Sequence, residues 1–120
     1  MPEEKINPIK VTDKDTGEVY VLDFSRESVK FMANNDFVFD MKRIIGFIAV
    51  EGPELFFYAM RANHKKVARN QADKLYEKMG GLTPKMIARL YDLYNQTIMS
   101  NKIVQDDEDL EANPHVDVEF

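Results

Sequence analysis

Two stretches near the start of the chain alternate apolar and polar side chains, Ile9-Lys10-Val11-Thr12 and Glu18-Val19-Tyr20-Val21-Leu22-Asp23-Phe24. A period of two is what a half-buried strand requires, because successive side chains point to opposite faces. Between the two runs, Asp13-Lys14-Asp15-Thr16-Gly17 supplies turn formers and a glycine that can adopt positive φ, so the pattern predicts a β-hairpin. Tyr20, Leu22 and Phe24 share one face, and Val19 and Val21 lie on the other and need cover of their own. An isolated hairpin is marginal in water, so the rest of the chain has to supply a layer for it.

From Ser25 onward the period lengthens to that of helices. Ser25 is placed to cap a first helix, with Glu27 in the dipole-favoured first turn and Val29, Met32 and Ala33 as a short apolar stripe ending at Asn34-Asn35. Asp40 caps a second, with Met41, Ile44, Ile45 and Ile48 on one face. Gly52-Pro53 reads as an interruption, since proline lacks the N–H and fits best in a first turn; this predicts a third helix from about Pro53 to Asn63. A fourth places Ala68, Ala72, Leu75, Tyr76 and Met79 at helical spacing and stops at Gly80-Gly81. A fifth starts with Thr83 as N-cap and Pro84 in its first position, and buries Ile87, Leu90, Tyr91, Tyr94 and Ile98. The expected fold is α+β and mostly α: an N-terminal β-hairpin, about five short helices and an acidic C-terminal tail, with no internal repeat.

Composition narrows the class. The chain has 120 residues, is 44% hydrophobic and contains no cysteine, enough for one domain with its own core and no disulfide or thiolate metal site. The N-terminus, MPEEKINP, has neither a signal-peptide core nor the roughly 18 apolar residues of a membrane span, so the expected location is cytoplasmic. The net charge of −5 is uneven. Residues 106–120 hold seven acids and no Lys or Arg, leaving fourteen acids against sixteen bases in residues 1–105. We therefore expect a single domain over 1–105 followed by a solvated acidic tail over 106–120 that folding does not need.

Catalytic chemistry is sought without success. His64 and His115 are some fifty residues apart with no ligand spacing around either, and His64 reads as a polar residue at a helix C-terminus. Gly80-Gly81 lacks the phosphate-loop context, and Glu51, Glu54 and the run Asp106-Asp107-Glu108-Asp109 offer no apolar pocket in which two carboxylates would separate their pKa values. No catalytic, cofactor-binding or metal-ligating residue is assigned, and no enzyme is expected.

One stretch exceeds what a core needs. In Leu55-Phe56-Phe57-Tyr58-Ala59-Met60, one helical face takes Leu55, Phe56, Ala59 and Met60, while Phe57 and Tyr58 project elsewhere. Either neighbouring helices surround it or a partner or second copy covers the remainder. Arg61, Lys65, Lys66 and Arg69 follow directly and would steer acidic segments; without a groove-reading motif they argue poorly for nucleic acid, and clustered at one end they do not suit a membrane surface. The partner-binding candidates are Phe56, Phe57, Tyr58, Met60, Arg61, Lys65 and Lys66.

The stretches DFSRESVKFMANNDFVFD, LFFYAMRANHKKVARNQADKLYEKMGG and LYDLYNQTI, in that order behind a hairpin, resemble the tail assembly chaperones of long-tailed phages and prophages of Gram-positive bacteria. The resemblance spans about residues 9–100 and rests on Phe24, Arg26, Glu27, Ser28 and Val29 at the first helix and on Phe57, Tyr58, Ala59, His64 and Val67 further on. It implies a protein that binds the tape measure protein, keeps it soluble in the host cytoplasm, assists recruitment of the tail tube protein, in some relatives through a frameshifted longer form, and is absent from the mature virion. A structural tail or head-tail component and a small nucleic-acid-binding regulator are the alternatives.

Overall fold

The computed structural model describes residues 6–100. They form the expected α+β, mostly α fold, a two-stranded antiparallel hairpin followed by five helices. The acidic tail expected over 106–120 lies outside the described residues.

Strands β1 (Ile9–Thr12) and β2 (Val19–Leu22) pair in the register Ile9↔Leu22 and Val11↔Tyr20. This puts those four side chains on one face, toward the helices, where Leu22 is fully buried. The turn closes with Asp13 N–H donating to the Glu18 carbonyl at 2.8 Å and Gly17 N–H to the Asp13 carbonyl at 2.7 Å, Gly17 taking φ +79°. On the opposite face Val19 stands in solvent.

Helix α1 (Arg26–Asn34) begins with a reciprocal cap: Ser25 Oγ accepts from Ser28 N–H at 3.1 Å and Ser28 Oγ accepts from Ser25 N–H at 2.8 Å. It ends with Phe37 N–H on the Met32 carbonyl, Asp36 N–H on the Ala33 carbonyl and Asp36 left-handed at φ +60°. Asp40 caps α2 (Met41–Gly46) by accepting from Arg43 N–H at 3.3 Å.

The break expected at Gly52-Pro53 is not there. The chain breaks at Phe47 (φ −128°, ψ 43°), and α3 runs without interruption over Ile48–Arg61 with Pro53 inside it. Proline costs that helix one hydrogen bond, to the carbonyl of Ala49 four residues back, at a residue that is itself exposed. Burial of Leu55, Phe56, Ala59 and Met60 further along outweighs the loss. Gly52 acts as a packing position and not as a stop: a Cβ there would overlap the Tyr76 hydroxyl and sit 3.2 Å from Tyr76 Cζ.

Helix α3 is the centre of the fold, touching α1, α2, α4 (Arg69–Met79) and β2. Helix α4 ends as expected, with Gly80 left-handed, its N–H on the Glu77 carbonyl and Gly81 N–H on the Tyr76 carbonyl. Helix α5 (Pro84–Ser100) starts from Thr83, whose Oγ1 accepts from Met86 N–H at 3.2 Å. It buries Ile87, Leu90 and Leu93, and Tyr91 and Tyr94 close an aromatic cluster with Phe24 and Phe39 at centroid separations of 5.3–5.5 Å. Ala33, Ala68 and Ile98, expected on buried faces, are exposed: Ala33 lies in the last turn of α1, Ala68 is the N-cap residue of α4 and not part of its buried face, and α5 turns Leu93 to the core in place of Ile98.

Candidate functional site

The stretch expected to offer a binding face lies inside the molecule. Phe56, Met60 and Tyr58 are 0%, 1% and 6% exposed, walled in by the hairpin, α1 and α4. Tyr58 packs against Phe31 and Phe37, and its burial pushes the phenol up from its ordinary pKa. Phe57 is half-buried, with the Arg69 guanidinium 5.4 Å from its ring centre. The broad apolar surface expected of these four residues therefore does not form: the helix has neighbours on several sides, and its aromatic girth is core.

The basic end is similarly absorbed. Arg61 lies 4.4 Å over the Phe31 ring and donates to the Lys65 carbonyl, and Lys65 pairs with Glu27 at 2.7 Å. Arg69 pairs with Glu54 at 2.9 Å and Asp73 at 3.0 Å. Lys66 alone of the predicted bases stands exposed without such a contact among the described residues. His64 lies beyond the last turn of α3, and its Nε2 accepts the Val21 N–H at 2.9 Å while its ring meets Tyr20 edge-on. His64 is thus the polar residue at the C-terminal end of α3 that the sequence suggested, and it serves there as a hydrogen-bond acceptor for the hairpin.

The exposed apolar surface is elsewhere, at the corner where α2 meets α3. Ile45 and Phe47 are 62% and 65% exposed and Ile48 37%; Val38 and Val50, also exposed, line a separate hollow with Arg43, Glu51 and Glu54. Beside Ile45 and Ile48 a groove of about 400 Å³ opens between this corner and the start of α5, walled by Met41, Ile45, Ile48, Leu82, Pro84, Ile87 and Ala88. No charged side chain lines it. The corner is held from behind by Arg43 Nε on the nearly buried Glu51 carboxylate at 3.2 Å, which ties α2 to the first turn of α3.

Sequence reasoning placed Ile45 and Ile48 on a core-facing stripe and passed over Phe47 and Val50. A signal was present: Ile44 through Val50 is apolar at every position around the helix circumference apart from Gly46, more than one buried face can take up. Once the chain breaks at Phe47, Ile44 alone of this run reaches the core.

Chemically the corner can do one thing well, which is to exchange water for another apolar surface. Among the described residues no group of three His, Asp or Glu side chains is arranged to hold a metal ion, and no helix is long and apolar enough to cross a membrane. No curated protein and no solved structure matches the chain. One family does, over residues 1–120, and this chain belongs to it: the family described as Domain of unknown function (DUF5055).

Proposed function

We propose that this protein is a tail assembly chaperone that acts by reversible protein binding and without catalysis, and that the α2–α3 corner, not the α3 aromatics, is where the client docks. The observation that carries the reading is the groove lined without charge between Ile45, Ile48 and the start of α5, with the exposed Phe47 between those two residues in sequence. A contiguous apolar patch on a small domain marks an interaction surface. The resemblance over residues 9–100 supplies the client: the tape measure protein, a long and largely helical chain, with the tail tube protein recruited afterwards.

An amphipathic helix laid along such a groove would insert apolar side chains at i, i+3 or i+4, and i+7 between Ile48 and Ile87. Each contact is weak and is multiplied by copies bound in series along one client, which suits a protein that must later release it. The chaperone acts in the host cytoplasm and leaves before the virion is complete.

Co-expression with a tape measure protein tests this. The full client should stay soluble with the parent chain and precipitate with Ile48→Asp, and retention should fall steeply as the client is shortened. Failure to solubilise the full client defeats the assignment, and finding the chain in purified virions by mass spectrometry favours a structural tail component.

A further inference from the structure

We propose that the chain's own residues 116–120 pair as a third strand on the open edge of β1. The register of the hairpin fixes which backbone groups face outward there. Asp13 N–H donates to the Glu18 carbonyl, so Ile9, Val11 and Asp13 turn their amides toward β2, and Lys10 and Thr12 turn theirs away from it. The outer edge of β2 has its acceptors, in His64 Nε2 and the Ala59 carbonyl. The outer edge of β1 does not. Among the described residues neither the Lys10 nor the Thr12 amide meets an acceptor, and both residues are exposed. Such an edge is a template for another extended segment.

A hollow of about 340 Å³ opens along this edge, between Val11 and Thr12 on one side and Leu75 and Met79 of α4 on the other. No residue of β2 lines it, so it lies on the outer side of β1. A third strand would fill it with the alternate side chains of one face. Val116-Asp117-Val118-Glu119-Phe120 has the required alternation. Laid along β1, it directs Val116, Val118 and Phe120 to the side of the half-buried Ile9 and Val11, and Asp117 and Glu119 to the side of Lys10.

Charge favours the approach. Lys10, Lys14, Lys78 and Arg89 stand on or against β1 and its turn, with Asp13, Asp15 and Glu18; Lys78 holds both aspartates, and Lys10 and Lys14 have no carboxylate partner among the described residues. Residues 106–120 bring seven acids and no Lys or Arg. Reach is ample as well. Thr97 Oγ1 donates to the Phe24 carbonyl at 3.2 Å, two residues past Leu22, which is the partner of Ile9. Helix α5 therefore ends near the start of β1, and residues 101–115 can span up to about 50 Å from there. Tethering gives the segment a local concentration on the order of mM, enough to populate a contact too weak for a free peptide. The pairing needs only this chain and stands whether or not the client reading does.

Amide exchange followed by NMR on the full chain tests it. The comparison is with the double variant Asp117→Pro/Val118→Pro: successive amides of a strand face opposite edges, so it removes an edge-facing N–H whichever way the segment runs. In the parent, the Lys10 and Thr12 amides should exchange roughly tenfold more slowly than in that variant, while Val11 and Asp13, bonded within the hairpin, stay as they were. Lys10→Glu, which sets like charges side by side, should lose most of the same protection. Neither substitution should move the melting temperature by more than a few degrees. The parent should also show nuclear Overhauser contacts from the Val116 and Val118 methyls to Ile9 or Val11, a readout that needs no variant. Lys10 and Thr12 amides that exchange alike in parent and double variant would overturn the proposal, as would the absence of those methyl contacts. Protection that grows with protein concentration would put a second copy's strand on the edge and overturn the pairing within one chain.

Discussion

The backbone N–H of Val21 donates to Nε2 of His64 at 2.9 Å across 43 residues of sequence. Two residues on, Asp23 N–H donates to the Ala59 carbonyl at 3.1 Å. These alternate amides form the outer edge of β2, so the end of α3 and the loop after it take the place of a third strand. His64→Phe keeps the ring contact with Tyr20 but leaves the Val21 amide without its acceptor, and should cost about 1–2 kcal/mol in urea unfolding. His64→Gln, which can still accept, should cost less. A larger loss in His64→Gln than in His64→Phe would show that the ring matters and the bond does not.

Gly52 and Tyr76 form a second close pair. Alanine at 52 gains about 1 kcal/mol of helix propensity but drives its Cβ into the Tyr76 hydroxyl, whose ring is held edge-on by Phe56 at 5.7 Å. Gly52→Ala should destabilise the parent, and Tyr76→Phe should recover about 1 kcal/mol or more of that loss in the double variant. Strict additivity of the two substitutions would refute the contact.

Asp36 is the one non-glycine among the described residues with positive φ, at +60°, where it ends α1. Left-handed backbone costs an L-residue about 1–2 kcal/mol, and glycine gives part of that back as unfolded-chain entropy. Asp36→Gly is therefore expected to stabilise by up to about 1 kcal/mol, and Asp36→Val to destabilise. A thermal melt of each variant decides it.

Lys78 Nζ bridges Asp13 at 2.8 Å and Asp15 at 3.0 Å, fastening the hairpin turn to the end of α4. The hydrogen bond from Lys78, then that from the Asp15 amide, holds the Asp13 carboxyl below its ordinary range. A carboxylate whose pKa is lower folded than unfolded contributes stability that is complete above the unfolded value, near 3.8, and is lost as pH falls through the folded one. Lys65 lowers Glu27 in the same sense. Followed by NMR, Asp13 should titrate late in acid with the Gly17 amide shifting in step, and Lys78→Met should return Asp13 to the ordinary range.

How far the sequence foretold all this depends on whether local chemistry or tertiary contact decides each feature. The hairpin, the Ser25 and Thr83 caps and the Gly80 stop were legible because each is settled within four or five residues. The continuity of α3 through Pro53 was not, since it rests on burial of Leu55, Phe56, Ala59 and Met60 against elements distant in sequence. The exposed apolar face was misplaced for a related reason. The girth of Leu55–Met60 suggested surplus apolar surface, but α1, α4 and the hairpin take up most of it, whereas Ile45 and Phe47 in the shorter run stay exposed. A single sequence shows how apolar a segment is, and the number of its neighbours belongs to the fold.

The hairpin's cover comes from far along the chain: from His64, from Thr97 Oγ1 on the Phe24 carbonyl, and from Arg89, whose bond to the Asn7 carbonyl spans 82 residues. During synthesis the strands therefore emerge first and wait. At about 5–20 residues per second, roughly 4–16 s pass between the appearance of Asn7 and that of Arg89. Over that interval Val11, Tyr20 and Leu22 have no finished layer to rest on, and a bare two-stranded ribbon is barely stable. The nascent chain thus carries a sticky leading end, and the rate of translation past Arg89 becomes a determinant of how much of it reaches the folded state.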